Sequence, residues 1–298
     1  MIREFQVQGA IMTDQDIKAL LHPKESKYYI LSLVALTPIA LLLSALVIGT
    51  FGGVLLFFGF AYLTIWFVQK MIRTWYLAHC ARVDEHNFPG VHNIVMDVKS
   101  QLGYDQPVDA FVVEEGSFNC SLMPFFNRKI LIINSGLLDE GVSTVELKWI
   151  IARFIGSLRA KSYRLSIVQA LISTSEKLLI FNIFLYPYER AIVMSGDRLG
   201  LAAIGGDITS AISAMNRLCV GARCSSLVSL TGIAKQENDI KGFFGFLVRV
   251  LSSHPPLVHR YREILRFANE SYPHRLKDFG GNLVGNVQRA DYHQQQAA

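Results

Sequence analysis

Residues 144–159 read TVELKWIIARFIGSLR. Val145, Trp149, Ala152 and Gly156, with Ile151, Ile155 and Leu158, recur close to helical spacing, so the stretch predicts a helix buried on most sides. Arg153 interrupts that stripe, beside Phe154 and one turn before Ser157. A guanidinium never deprotonates, so a buried one needs an anionic partner. The purpose of this helix depends on what surrounds Arg153.

The chain is 51% hydrophobic over 298 residues, above the usual soluble range, and carries a net charge of +5. That charge is too diffuse to argue for nucleic acid and suits a cytoplasmic membrane face. Four cysteines without a CxxC pair indicate neither a zinc ribbon nor a disulfide framework. Residues 1–27 are polar, and Thr13-Asp14-Gln15-Asp16 before Ile17, Leu20 and Leu21 reads as a capped short helix. From Tyr28 to Gln69 no residue is charged. As one helix this run would be about 63 Å long, about twice the hydrocarbon thickness, so it must fold back on itself. Gly49-Thr50-Phe51-Gly52-Gly53 supplies the turn, which makes 28–70 a transmembrane hairpin of Tyr29–Ile48 and Val54–Gln69. Lys24 and Lys27 precede it and Lys70, Arg73 and Arg82 follow. The positive-inside rule therefore puts both termini and the main domain in the cytoplasm, the protein being integral to the inner membrane.

Beyond the hairpin, 75–105 reads as helical with a break at Pro89-Gly90. Val108–Glu114 and Lys129–Asn134 read as strands, joined by a loop over Gly116–Arg128. Leu165–Pro187 is apolar but interrupted by Glu176 and Lys177. It reads as a core or interfacial helix, with a further membrane element as the alternative. Gly205–Leu218 reads as a helix, Thr231–Asp239 as a polar connection, and Phe243–Val250 as an apolar cluster bound for the core. The chain turns polar from about 270, and the tail, 269–298, reads as disordered.

Four ordered motifs carry a resemblance. Pro107-Val108-Asp109-Ala110-Phe111-Val112-Val113 is followed by Asn119-Cys120, Ile130–Ile133 and Gly136-Leu137-Leu138-Asp139. The helix above follows, with Glu146, Leu147, Ala152 and Gly156 in register. Arg190, Asp197 and Arg198 come next, then His254-Pro255-Pro256-Leu257 with Arg260. In this order the chain resembles the membrane zinc metalloproteases of the HtpX and CAAX prenyl protease type. The resemblance implies an α+β, zincin-like domain over 75–268, mainly helical with a small sheet, behind an N-terminal membrane hairpin.

The family's zinc helix has the form HExxH, two histidines for the metal and a glutamate as general base, and a third ligand comes from a later glutamate. By the resemblance those positions are Arg153, Phe154, Ser157 and Val193. None can bind zinc or accept the proton. The retained motif residues are Asn119, Glu146, Gly156, Arg190, Asp197, Arg198, His254, Pro255 and Arg260. His79, His86, His92, His254 and His259 lack ligand spacing, and Ser157 has no nucleophile elbow. Glu189 and Asp197 could do acid–base work in a cleft, but carboxylates paired with arginine are the commoner outcome.

The sequence therefore predicts a catalytically inactive membrane-anchored homologue, a binding or scaffolding subunit with no metal and no small-molecule cofactor. Its partners are the lipid bilayer and other membrane proteins, not nucleic acid. The alternative is an active metalloendopeptidase with other ligands. A peptide would add to a strand edge at Ile130–Ile133 or Phe111–Val113. Arg153 is expected to point into the vacated site and pair with Asp197, or failing that Glu189.

Overall fold

The computed structural model describes residues 11–50, 53–115, 119–124, 128–139, 141–165 and 179–279. The chain is mainly helical around one small sheet. Helix α1 (Asp14–Leu20) starts on the anticipated capping box, in which Thr13 Oγ1 and the Asp16 carboxylate each accept the other's backbone N–H. Met12, Ile17 and Leu20 join the main core, so the N-terminal segment packs with the domain.

Helices α2 (Glu25–Gly49, with Pro38 inside it) and α3 (Gly53–His79) follow. Both are long and apolar enough to cross a membrane, and only 6% and 0% of their most apolar windows is buried. A core helix of a soluble protein would be buried instead. Residues such as Leu56 (81% exposed) and Ile48 (76%) are therefore presented to whatever surrounds the hairpin. Both helices outrun the expected spans. Helix α3 continues to His79, so 75–105 is not one broken helix. A two-residue strand β1 (Ala81–Arg82) intervenes before α4 (Pro89–Gln101), because β1 pairs with the sheet.

Strands β2 (Val108–Val113) and β4 (Lys129–Asn134) form where their alternation placed them, and they pair in parallel, Val108 opposite Lys129 through Val113 opposite Asn134. The expected loop between them is not all loop. It holds β3 (Cys120–Met123), antiparallel to β4, and the sheet order is β1-β2-β4-β3. Both strands expected to offer an edge for a peptide are thus interior, and the edge on the β4 side is β3. With a period of two, Phe111, Ile130 and Ile132 pack on Tyr76 of α3 and on Cys80 just after it, while Ala110, Val112, Leu131 and Ile133 face the main core.

Helix α5 (Thr144–Arg159) opens on a capping box of Ser143 and Glu146 and buries Trp149, Ile150, Ile151, Ala152 and Ile155 completely. It crosses α6 (Leu179–Ala203) closely because glycines line the contact. A Cβ on Gly156 would lie 2.8 Å from Leu199 Cβ, and one on Gly200 would lie 2.9 Å from the Trp149 carbonyl oxygen. Most of the apolar stretch around Glu176 and Lys177, residues 166–178, lies outside the described residues.

Helix α7 starts later than expected, spanning Ile208–Val220. Gly205 and Gly206 adopt positive φ and end α6, and Asp207 caps α7 through the Ser210 N–H. Residues Leu230–Asp239 form helix α8 rather than a polar connection, with Ile233 in the core. The cluster expected in the core forms helix α9 (Phe243–Leu251), and it is exposed: Phe243 by 70% and Phe244 by 79%. A short apolar pattern alone does not distinguish a face bound for the core from one left exposed. Helix α10 (Leu257–Ser271) and a helical turn at 273–279 close the domain, with Tyr272 and Phe279 buried in the main core. The core therefore extends past 268, and of the tail, 280–298 lies outside the described residues.

Candidate functional site

Helices α5 and α6, strand β3 and the loop before α10 enclose a cleft of about 550 Å³. Arg153 and Phe154 enter it from α5, Glu189 and Val193 from α6, Asn119 and Cys120 from β3 and its lead, and His254 and Arg260 from the C-terminal end. These residues come from distant stretches of chain, and the sequence motifs had picked out seven of the eight, all but Glu189. Ser157 is buried behind this wall, where its hydroxyl donates to the Arg153 carbonyl at 2.8 Å.

Asp197 is the centre of charge. Arg260 grips it with two hydrogen bonds, Nε to Oδ2 at 2.9 Å and Nη2 to Oδ1 at 3.0 Å. Arg153 Nε lies 2.6 Å from Oδ1, with its N–H not aimed at the oxygen, so this contact is an ion pair without a directed hydrogen bond. The Arg153 guanidinium also lies over the Trp149 ring at 4.8 Å and the Phe154 ring at 5.7 Å. The expected pair between Arg153 and Asp197 is present, and Arg260 is a second cation that the sequence reading had not linked to it. Burial pulls both guanidinium pKa values down. At Arg260 the charge and bonds of Asp197 outweigh burial and leave the value above normal, whereas Arg153, with the poorer geometry, ends below its ordinary value.

At the other titratable groups burial favours the neutral form. Burial pushes the Cys120 thiol and the Tyr163 hydroxyl each to about 12, which disfavours the reactive thiolate at Cys120. Partial burial, then Arg260 and Arg153, lower the pKa of His254. Burial raises Glu189 to about 7, against the pull of Arg190.

The remaining motif residues hold the frame. Glu146 caps α5 and pairs with Arg217 at 3.2 Å. Gly156 admits Leu199. Arg190 Nη1 donates to the Arg249 and Ser252 carbonyls at 2.7 and 2.6 Å, fixing the chain that leads to His254 and the buried Pro255. Arg198 is buried against Glu263 at 3.5 Å and over the Phe267 ring at 5.0 Å.

A zinc ion does not fit this donor set. The positions at which the resemblance would put its ligands offer a guanidinium already paired to Asp197, a hydroxyl turned back on its own helix and an alkyl chain. Among the described residues, no three His, Cys, Asp or Glu side chains converge in a way that could hold a metal. No protein-family model, curated protein or solved structure matches the chain.

Proposed function

We propose that this chain is a membrane-anchored, catalytically inactive relative of the HtpX and CAAX prenyl zinc proteases, and that its former substrate cleft binds an extended segment of a partner membrane protein. One observation carries the reading. Motif positions scattered from Asn119 to Arg260 line a single cleft, and two of its lining residues, Arg153 and Arg260, pair with the buried Asp197; by the resemblance Arg153 stands at the position of a zinc histidine. The domain is zincin-like on this reading, and the exposed hairpin anchors it with both ends in the cytoplasm.

Strand β3 supplies the docking edge. Among the described residues it pairs with β4 alone, and Cys120, Ser121 and Leu122 line the cleft beside Arg153. An extended segment adding to β3 would run its side chains alternately into the cleft and out of it. The full-length protein tests this when a photo-crosslinker is placed at Ser121 in native membranes. A discrete membrane-protein adduct that Leu122→Asp abolishes is expected. Metal-dependent cleavage of casein by the purified chain would contradict the reading.

A further inference from the structure

A second cleft, of about 610 Å³, opens past the C-terminal end of α5, at the foot of the long apolar helix α2. Lys18 of α1 and Lys161 and Arg164, which follow α5, line it and are exposed. Among the described residues none of the three has an ionic partner. Arg164 lies 5.7 Å over the ring of Tyr29, which itself packs on Tyr188. The one acidic group in the wall, Glu25, is buried at the back, where the hydroxyls of Ser162 (2.6 Å) and Ser195 donate to it.

Two features separate this cleft from an ordinary basic surface. Lys161 holds φ at +57°, a left-handed conformation that usually falls to glycine or asparagine after a helix. The strain aims a cation, where Gly would satisfy the helix end, and such outliers gather at functional positions. In addition, the exposed apolar surface of α2 begins here, at Ile30 (60% exposed), which lines the cleft, and continues through Val34 (62%). Cations below and lipid-facing side chains above match a phospholipid with its phosphate at the interface and its chains beside the helix.

We propose that this cleft seats the phosphate of an anionic phospholipid, held by Lys18, Lys161 and Arg164, with the lipid's acyl chains along α2. The inference rests on the hairpin being membrane-spanning. Tyr29 caps the site from the bilayer side, and Glu25, satisfied by its two serines, leaves the net charge positive.

The test uses full-length protein in detergent, titrated with phosphatidylglycerol or phosphatidylcholine and read by native mass spectrometry. Retention of phosphatidylglycerol is expected to exceed that of phosphatidylcholine by about ten-fold, and the triple variant Lys18→Gln/Lys161→Gln/Arg164→Gln should lose that preference. A control variant with three exposed cations removed elsewhere, Arg223→Gln/Lys235→Gln/Arg275→Gln, should keep it. Equal retention of both lipids, or equal loss in the control, overturns the site. Displacement by millimolar inorganic phosphate would show a site for free phosphate, and overturns the lipid assignment. Recovery of the native chain in the soluble fraction instead of the membrane would refute the hairpin reading itself, separately from the lipid site.

Discussion

Two buried aspartates in this molecule are surrounded by arginines, and they differ in how wet those arginines are. Asp197 takes Arg153 and Arg260, whose side chains are only 11% and 15% exposed. Asp109, at the end of the sheet near α3, takes Arg73 at 2.9 Å, Arg82 at 3.3 Å and Arg128 at 3.7 Å, and the last two are about half exposed. Removing a carboxylate from solvated arginines leaves water to take its place. Removing it from buried ones leaves charges with nothing to replace it. The Asp197 cluster ties α5, α6 and α10 together where three helices must hold an open cleft. The Asp109 cluster fixes the end of the long apolar helix α3 to the sheet, and its loss should be better tolerated.

The largest expected effect is therefore Asp197→Ala, which strands two buried guanidiniums and should cost about 3–5 kcal/mol in denaturant unfolding. Asp109→Ala should cost clearly less, and a reversal of that order would break the comparison. Double-mutant cycles sharpen it further. Arg153→Ala with Asp197→Ala should show a coupling of about 2 kcal/mol, whereas Arg82→Ala with Asp109→Ala should show about 0.5 kcal/mol or less, shrinking with added salt. Strictly additive losses at the first pair would mean that Arg153 only fills space.

Glu189 reports on the same dryness through pH. Its carboxyl pKa is raised to about 7 by burial, so the folded state keeps the proton that the unfolded chain gives up at lower pH. Stability is whole below the unfolded value of about 4.5 and falls as pH rises toward 7. Glu189→Gln should then be neutral at pH 4 and stabilising by about 2 kcal/mol at pH 8. A variant equally stable relative to the parent at both pH values would show that this wall of the cleft is wet. The smallest effect is at the exposed end of the other cluster, where Arg128→Gln should change stability by about 0.5 kcal/mol or less.

The parts of the fold legible in sequence were those with a strong local signal. The uncharged run with a glycine turn marked the hairpin, the Thr13 capping box marked α1, and alternation marked β2 and β4. Strand β3 was missed because its four residues sit in a stretch whose Pro124 and Asn127 read as loop, and its pairing with β4 is a long-range fact. Helix α9 was misplaced because a run such as Phe243, Phe244 and Phe246 has the same local pattern whether its face is buried or exposed. At the site, the frame placed Arg153 beside Asp197 correctly. Arg260 was noted as a motif residue, but nothing local shows that α10 returns to bring it to the same carboxylate.

The proposed function requires the cleft to be a zinc-protease frame that has lost its metal chemistry. Restoring it is the most direct test: a full-length variant carrying Arg153→His, Phe154→Glu, Ser157→His and Val193→Glu, compared with the parent by elemental analysis after dialysis against zinc. The variant should hold close to one zinc per chain, with a melting temperature that falls on chelation, and the parent far less than one. A folded variant that takes up no zinc, or a parent that holds one tightly, would contradict it.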